Sequence, residues 1–390
     1  MKESYLNKIQ FQSEVQKCLH CKSKPCEKAC PLHCSPHDFI EDAQKGLFQK
    51  AADELRQKNP LAHCCGVLCP DMFCQKACLR ARIDKAIDIP AVQAFIMKQA
   101  KTSDFAVSSL NGKKVAVIGA GPAGLGSAWQ LAKLGYKVSI FEKEAQIGGA
   151  MDMIPLSRFP QKVLKSDWEY ISQKGRIKLI VHQQISDFNA LFDSGFDGVV
   201  FAGGRSKAID LGVIGEEFTV SYMDYLSHPQ DYVTTGKVAI VGGGNVAVDC
   251  ALTAKQQGAK EVTLFIRRKI FNMKVTKKEF DSLLKNEIDL TTTTRVCKVE
   301  KENKGLIVST CSTMETEDGY QDIKDSIIKR RGFSLVIKAI GNLAEKKNLE
   351  HPRLVCAGDY VNGASTVVEA VSSGIEAAKI LHKKIKGEEK

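Results

Sequence analysis

Two segments of this chain share one pattern, in which a buried strand leads into a glycine-rich turn, an alanine-rich helix and a second strand. The first segment opens with the strand Lys114–Ile118 and the second with the strand Lys237–Val241. Units of this kind bind a dinucleotide where the first strand ends and the helix begins. The sequence therefore predicts an α/β protein with two Rossmann-like dinucleotide-binding domains.

The first turn is predicted to cradle a pyrophosphate. Its residues are Gly119, Ala120, Gly121, Pro122, Ala123 and Gly124. The three glycines permit a tight turn, a close approach of backbone to the phosphates and close helix packing, and the helix amino terminus favours the anion. Glu142 ends the next predicted strand, where a carboxylate binds ribose hydroxyls. A glycine turn can serve packing alone, but the strand, helix and acid together favour nucleotide binding.

The second turn has the same form, with alanine in place of the last glycine. Its predicted nucleotide contacts are Gly242, Gly244, Asn245, Val246 and Ala247. The strand that follows is predicted to end on Arg267 and Arg268 rather than on an acid. Arginine pairs well with a 2′-phosphate, so NADPH is predicted, with NADH as the alternative and Lys274 as a further contact. These cations could instead form only a solvated strand end.

The cysteines are concentrated at one end of the chain, since ten of the 14 lie at or before Cys78. Met1 is not followed by an apolar leader, and no run of 18 apolar residues occurs, so we expect a cytoplasmic protein without membrane attachment. In a reducing compartment, metal ligation explains the cysteines better than disulfides do.

The spacing of these cysteines is typical of iron–sulfur proteins. The two runs are Cys18-x2-Cys21-x4-Cys26-x3-Cys30-Pro31 and Cys69-x4-Cys74-x3-Cys78. Thiolates so spaced can converge on a cluster, whereas zinc is the alternative because four thiolates also suit that ion. The remaining early cysteines, read as packing thiols, are Cys34, Cys64 and Cys65. The surrounding pattern is helical, with Pro36 after a possible cap at Ser35, and the apolar positions at helical spacing are Phe39, Ile40, Ala43 and Leu47.

The formal net charge is +11, and the basic residues are dispersed along the chain. A nucleic-acid surface would show a basic stripe with interleaved aromatics, but aromatic residues make up only 7% of the chain. We therefore expect no nucleic-acid partner. Attraction for an anionic cofactor or an acidic protein surface explains the positive charge better.

From about residue 112 onward, the chain resembles flavoproteins with two dinucleotide-binding modules. Besides the two turns, the resemblance rests on Gly148-Gly149 and on Ala357-Gly358-Asp359 before the last helix. It implies FAD in a module formed by residues 112–234 and 336–390, with the NAD(P)H module 235–335 inserted. The further flavin contacts that it implies are Gly149, Arg158, Gly358, Asp359, Ser365 and Thr366.

Residues 17–101 resemble the double-cluster domain of dihydropyrimidine dehydrogenase and of glutamate synthase small subunits. The matching stretches are 18–31, 59–61 leading to 65–70, and 88–95. The resemblance implies a helical domain 1–111 with two [4Fe–4S] clusters. One cluster would be held by Cys18, Cys21, Cys26 and Cys78, and the other by Cys30, Cys69, Cys74 and the amide oxygen of Gln93.

The resemblance implies an electron-input subunit that takes electrons from NADPH and feeds a separate FMN-containing subunit of dihydropyrimidine dehydrogenase type. The chain ends at Lys390, with no residues for the FMN barrel of the large enzyme. A glutamate synthase small subunit and a ferredoxin:NADP transhydrogenase subunit serving an acidic carrier are the alternatives. A non-catalytic redox scaffold or sensor is an alternative of another class. No residue is assigned as catalytic, because the cofactors carry the chemistry.

Overall fold

The computed structural model describes residues 5–303, 305–317, 319–345 and 349–387. The chain forms two compact units. One contains the residues up to Asp152, Leu156–Ser206 and the residues from Ala344 onward; the other contains Met153–Pro155 and Lys207–Leu343. Across the described residues, no helix combines the length and apolar character needed to cross a membrane.

The cysteine-rich segment is helical, as predicted. Its helices are α1 (Lys8–Gln16), α2 (Pro25–Lys28), α3 (Pro36–Gln44), α4 (Phe48–Lys58), α5 (Ala62–Leu68) and α6 (Ile89–Gln99). Phe11 and Phe95 stack with ring centroids 4.1 Å apart and join α1 to α6. The prediction for Leu47 was wrong: α3 ends at Gln44, Gly46 has a φ of +76°, and Leu47 is exposed. Ser35 does precede α3, but its side chain makes no capping hydrogen bond.

The first dinucleotide-binding module follows an irregular connection. Its elements are β1 (Lys114–Ile118), α7 (Pro122–Lys133), β2 (Lys137–Phe141), α8 (Gln161–Ser172), β3 (Ile177–Ile180), α9 (Asn189–Asp193) and β4 (Gly198–Phe201). β1 is fully buried after its first residue, which explains its continuous apolar sequence.

The second unit contains the second module and an antiparallel extension. Its elements are β5 (Lys207–Ala208), β6 (Val220–Ser221), α10 (Tyr222–Ser227), β7 (Lys237–Val241), α11 (Asn245–Gln256), β8 (Glu261–Phe265), α12 (Lys277–Lys285), β9 (Asp289–Thr291), β10 (Thr294–Glu302), β11 (Gly305–Thr316), β12 (Gly319–Asp322), β13 (Ile328–Lys338) and β14 (Asn342–Leu343).

The sheet of the second unit has the order β10-β11-β13-β7-β8-β9. Strands β13, β7, β8 and β9 are parallel, whereas β10 and β11 are antiparallel additions. The second module begins earlier than the predicted boundary at 235, because β6 already pairs with β13. Tyr225 on α10 is also fully buried, and its hydroxyl donates to Gln257 Oε1 at 2.7 Å. Likewise, β8 ends at Phe265, before the predicted strand end at 267.

The chain then returns to complete the first unit. The returning elements are β15 (Leu354–Cys356), α13 (Asp359–Asn362) and α14 (Val367–Lys386). Its sheet has the order β15-β4-β1-β2-β3, and all neighbouring pairs are parallel. α14 packs along α7, where the buried hydroxyl of Ser127 donates to the carbonyl of Gly374 at 2.8 Å. The carboxyl ends of β1, β2 and β15 thus share one edge, which is where ligands bind in such sheets.

Candidate functional site

Four of the predicted ligands line one pocket in the helical segment. These residues are Cys18, Cys21, Cys26 and Cys78. Cys18 follows α1, Cys26 lies in the first turn of α2, and Cys78 precedes a 3-10 turn at Leu79–Arg82. The sulfur of Cys18 is close enough to those of Cys21 and Cys78 to interact electrostatically. The structure therefore brings together cysteines that lie 60 residues apart in the sequence.

A second group of thiols forms beside the first. Cys69 interacts electrostatically with Cys74 and Cys30. Gln93 lies on α6, which packs closely against α5, and its amide nitrogen donates to the carbonyl of Ala62 at 2.6 Å. The amide oxygen is therefore the Gln93 atom that could serve as a ligand.

The burial of these donors suits metal ligation. Every cysteine is a free thiol in the structure. Burial raises the pKa of Cys26 to about 11 and that of Cys74 to about 12. Such thiols lose their protons when a cation compensates for the buried negative charge, and the iron of a cluster supplies that charge.

Two cysteines that the spacing left unassigned lie next to predicted ligands. Cys34 forms a thiol hydrogen bond with Cys30, which lowers the pKa of Cys30 and raises that of Cys34. Cys65 makes a similar contact with Cys69. Both side chains are buried, so they form the immediate surroundings of the second thiol group.

The first glycine turn has the shape that a pyrophosphate site requires. Gly119 has a φ of +100°, and a Cβ at Gly124 would lie 1.9 Å from the carbonyl oxygen of Gly119. Gly121 is the residue from which α7 begins, and Pro122 and Ala123 form its first turn. The amino terminus of α7 is therefore held directly behind the turn, with its N–H groups facing the position of an anion.

Glu142 lies just after β2 and is buried. Its two carboxylate oxygens accept hydrogen bonds from the backbone N–H groups of Ala120 at 2.7 Å and of Glu144 at 3.0 Å. A carboxylate can accept further bonds, so ribose binding by Glu142 stays a prediction. The present contacts show that Glu142 also holds the turn.

Other predicted flavin contacts gather around the same turn. A Cβ at Gly149 would lie 3.0 Å from the Cα of Gly121, and a Cβ at Gly358 would lie 2.7 Å from the Cβ of Ala123. Asp359 therefore begins α13 next to α7, and burial raises the pKa of its carboxyl.

Three predicted flavin contacts remain, and the side chains of two of them make hydrogen bonds within the protein. Ser365 hydrogen bonds to the Asp359 carboxylate. Thr366 caps α14 and its hydroxyl bonds to Glu369 at 2.7 Å, so that side chain is used for helix capping. Arg158 is half-buried in the segment before α8.

The second turn is open where a phosphate would lie. A Cβ at Gly242 would lie 2.2 Å from the carbonyl oxygen of Ala339, but no atom lies within 4 Å of the Cβ position at Gly244. Gly244 forms a bridge with Lys274, which places that predicted contact beside the turn.

Residues after Gly244 begin α11 and fix the turn. With its side-chain amide oriented to satisfy both acceptors, Asn245 donates to the Lys274 carbonyl at 3.1 Å and to the Glu279 carboxylate at 2.7 Å. Val246 and Ala247 continue the first turn of α11.

Arg267 and Arg268 follow β8, at the edge where the adenosine ribose is expected. Arg267 is exposed, and its guanidinium lies 6.0 Å from the ring centroid of Tyr320. Arg268 is half-buried, and its backbone carbonyl accepts a hydrogen bond from Thr293. The Arg267 side chain is therefore the more accessible of the two cations.

Asp167 on α8 is a buried residue that sequence analysis missed. Its carboxylate accepts hydrogen bonds from the N–H groups of His63 at 3.2 Å and Cys64 at 2.8 Å, in the first turn of α5. Burial raises the pKa of Asp167 to about 6, and the buried Arg56 supplies an opposing charge. Because α5 leads directly into Cys69, Asp167 positions the second thiol group from the neighbouring module.

Replacing Asp167 with asparagine should lower the thermal midpoint of unfolding. The amide NH2 would face a backbone donor, and losing one buried hydrogen bond costs about 1–3 kcal/mol, or a few degrees in a protein of this size. Glu169→Gln, an exposed change on the same helix, is the matched control. Equal midpoints for the two variants would contradict the role of Asp167.

Known protein families match both the cysteine-rich segment and the two dinucleotide-binding modules. Residues 1–105 match the family described as dihydropyrimidine dehydrogenase domain II, 4Fe-4S cluster, and residues 113–363 match the pyridine nucleotide-disulphide oxidoreductases. The chain is 33% identical over 385 residues to the NAD-dependent dihydropyrimidine dehydrogenase subunit PreT homolog of Salmonella typhi, covering 95% of this chain and 93% of that protein. It is 26% identical over 426 residues to the glutamate synthase [NADPH] small chain of Escherichia coli, covering 95% and 90%. The structure of FprA from Mycobacterium tuberculosis (His57Gln mutant) matches with a TM-score of 0.63 at 14% identity, covering 70% of this chain and 85% of that one.

The fold and the paired glycine turns therefore define an NAD(P)H-dependent oxidoreductase of the pyridine nucleotide-disulphide class, joined to a 4Fe-4S domain. More closely, the chain belongs to the family of NAD-dependent dihydropyrimidine dehydrogenase subunits PreT. This confirms the predicted fold class, the family resemblance, the nicotinamide dinucleotide and the 4Fe-4S cofactor class, while FAD in the first module stays a prediction.

Proposed function

We propose that this chain is an electron-input subunit, which takes electrons from a nicotinamide dinucleotide and passes them to a separate FMN-containing subunit of dihydropyrimidine dehydrogenase type. The observation that supports this most strongly is the pocket of four thiols in the same compact unit as the first glycine turn. The match to PreT subunits along nearly the whole chain supports the nature of the partner.

The chain's own residues hold and orient the cofactors. When bound, FAD accepts a hydride and the clusters carry single electrons, so the chemistry belongs to these groups. The turn at 119–124 and the amino terminus of α7 neutralise the FAD pyrophosphate, while Glu142 and Asp359 orient its sugar and ribityl groups. The turn at 242–247 binds the nicotinamide dinucleotide in the same way.

The proposed cluster ligands are those implied by the resemblance. Cys18, Cys21, Cys26 and Cys78 hold one cluster. Cys30, Cys69, Cys74 and Gln93 hold the other. A neutral amide oxygen in place of a thiolate alters the charge of the second cluster and therefore its potential.

Replacing Arg267 with alanine should raise the KM for NADPH by about tenfold and change the KM for NADH little. The expected loss is that of a charge-assisted hydrogen bond to the 2′-phosphate, about 1.5 kcal/mol at this exposed position. The PreT relatives are named for NAD, so NADPH preference in this chain rests on its arginines. Arg331→Ala, which removes an exposed arginine paired with Glu302, is the control. Equal effects on the two nucleotides would refute the role of Arg267.

The partner can be identified by co-purification followed by two activity assays. We expect NAD(P)H-driven reduction of uracil once the partner subunit is present. The second candidate function is that of a glutamate synthase small subunit, favoured by the match of 90% of that chain's length. Turnover of 2-oxoglutarate plus glutamine, with no reduction of uracil, would establish that function and contradict our proposal.

A further inference from the structure

We propose that His20, His37 and Glu41 form a binding site for a divalent transition-metal ion such as Zn²⁺, distinct from the cysteine ligands. A nitrogen from each imidazole and a carboxylate oxygen of Glu41 lie within 4.8 Å of one another. His37 and Glu41 are spaced i, i+4 on one face of α3, and His20 reaches them from the loop after α1. Two histidines and one glutamate are a known three-residue ligand set for zinc, which leaves further positions for water.

The two imidazoles are held so that each presents a lone pair. The Nδ1 of His37 lies 2.7 Å from a carboxylate oxygen of Asp38, so Nδ1 carries the proton and Nε2 is the acceptor atom. The Nε2 of His20 lies 3.1 Å from the amide oxygen of Gln44, so in His20 Nδ1 is the acceptor atom. A carboxylate or amide oxygen on the second ring nitrogen is the arrangement that orients metal-binding histidines.

These supporting groups are themselves fixed by neighbours. Asp38 is paired with the Lys24 ammonium at 2.8 Å, and the Gln44 amide nitrogen donates to the carbonyl of Val15 at 2.6 Å. Glu41 is paired with Lys45 at 2.6 Å through one oxygen. Lys45 is exposed, so its ammonium can return to water when the Glu41 carboxylate binds a metal ion.

The site borders the first group of thiols. His37 lines the pocket formed by Cys18, Cys21, Cys26 and Cys78, and His20 lies between the first two of these in sequence. A cation bound here adds positive charge beside that pocket and so favours the reduced state of a cluster within it. This consequence rests on the proposed cluster, but the metal site does not.

Equilibrium dialysis of the anaerobically purified holoprotein against Zn²⁺, with iron measured in the same samples, tests the site. We expect one zinc to bind while iron is retained, about 100-fold weaker binding in His37→Gln and in Glu41→Gln, and a loss of about tenfold in Asp38→Asn. His33→Gln, which changes another exposed histidine of the same segment, should bind as the wild type does.

Three results would overturn the site. The wild-type protein could bind no more zinc than the Glu41→Gln variant, it could take up zinc with an equivalent loss of iron, or His33→Gln could weaken zinc binding as much as His37→Gln does. The effect on the cluster is measured separately, as a zinc-dependent rise in its reduction potential that His37→Gln abolishes. Failure of electron transfer to the partner subunit would leave zinc binding unchanged, so the two proposals fail independently.

Discussion

Anaerobically prepared protein with Cys26 replaced by serine should retain its FAD but lose about half of its iron and acid-labile sulfide. Cys26 lies in the first turn of α2 within the pocket that it shares with Cys18, Cys21 and Cys78. A serine hydroxyl is a poor substitute for thiolate, and a cluster that loses one ligand becomes labile. The measurement is iron and sulfide per FAD.

The matched control for this prediction is Cys297→Ser. Cys297 lies on β10, remote in sequence from the cysteine runs, and its thiol donates to the carbonyl of Ser309 at 3.2 Å. Serine can make the same hydrogen bond, so iron and FAD should both be unchanged. Full iron content in Cys26→Ser would contradict its assignment as a ligand.

The second large effect is expected at the first glycine turn. A Cβ added at Gly124 would lie 1.9 Å from the Gly119 carbonyl oxygen, so α7 cannot keep its position behind the turn in Gly124→Ala. Overpacking of this kind costs about 1–3 kcal/mol of stability. The displaced turn also binds the pyrophosphate more weakly, and a loss of about 3 kcal/mol in binding corresponds to about 100-fold weaker retention of FAD. The FAD content after gel filtration and the thermal midpoint should both fall.

Gly244→Ala provides the contrast, because the added Cβ meets no atom within 4 Å. That variant should keep its FAD and its thermal midpoint. Its KM for the nicotinamide dinucleotide should rise, since the methyl group lies where the phosphates approach. Loss of FAD in both variants, or in neither, would contradict the assignment of the two turns.

Features encoded by neighbouring residues could be predicted from the sequence. The strand β1, the turn after it and the first turn of α7 follow from a continuous buried run, glycines at fixed positions and a proline at the helix start. The capping role of Thr366 could also be predicted, since Thr366 and Glu369 have the spacing of a capping box. The flavin contact of Thr366 stays a prediction.

Features that depend on distant pairings could not be predicted. The main part of the second unit begins at Lys207, where β5 pairs with β14, and β6 pairs with β13 more than a hundred residues later. The bonds from the backbone of His63 and Cys64 to Asp167 likewise join two separate segments. The proximity of His20 to Glu41 depends on how the loop after α1 folds back on α3, which spacing alone does not specify.

The most direct test of electron transfer through this chain is the absorbance and metal content of the anaerobically purified protein, before and after addition of NADPH. We expect flavin bands over a broad iron–sulfur absorbance, iron and sulfide in equal amounts, and bleaching of the flavin band by the nucleotide. A colourless protein whose cysteines hold zinc, with no flavin and no response to NADPH or NADH, would contradict it.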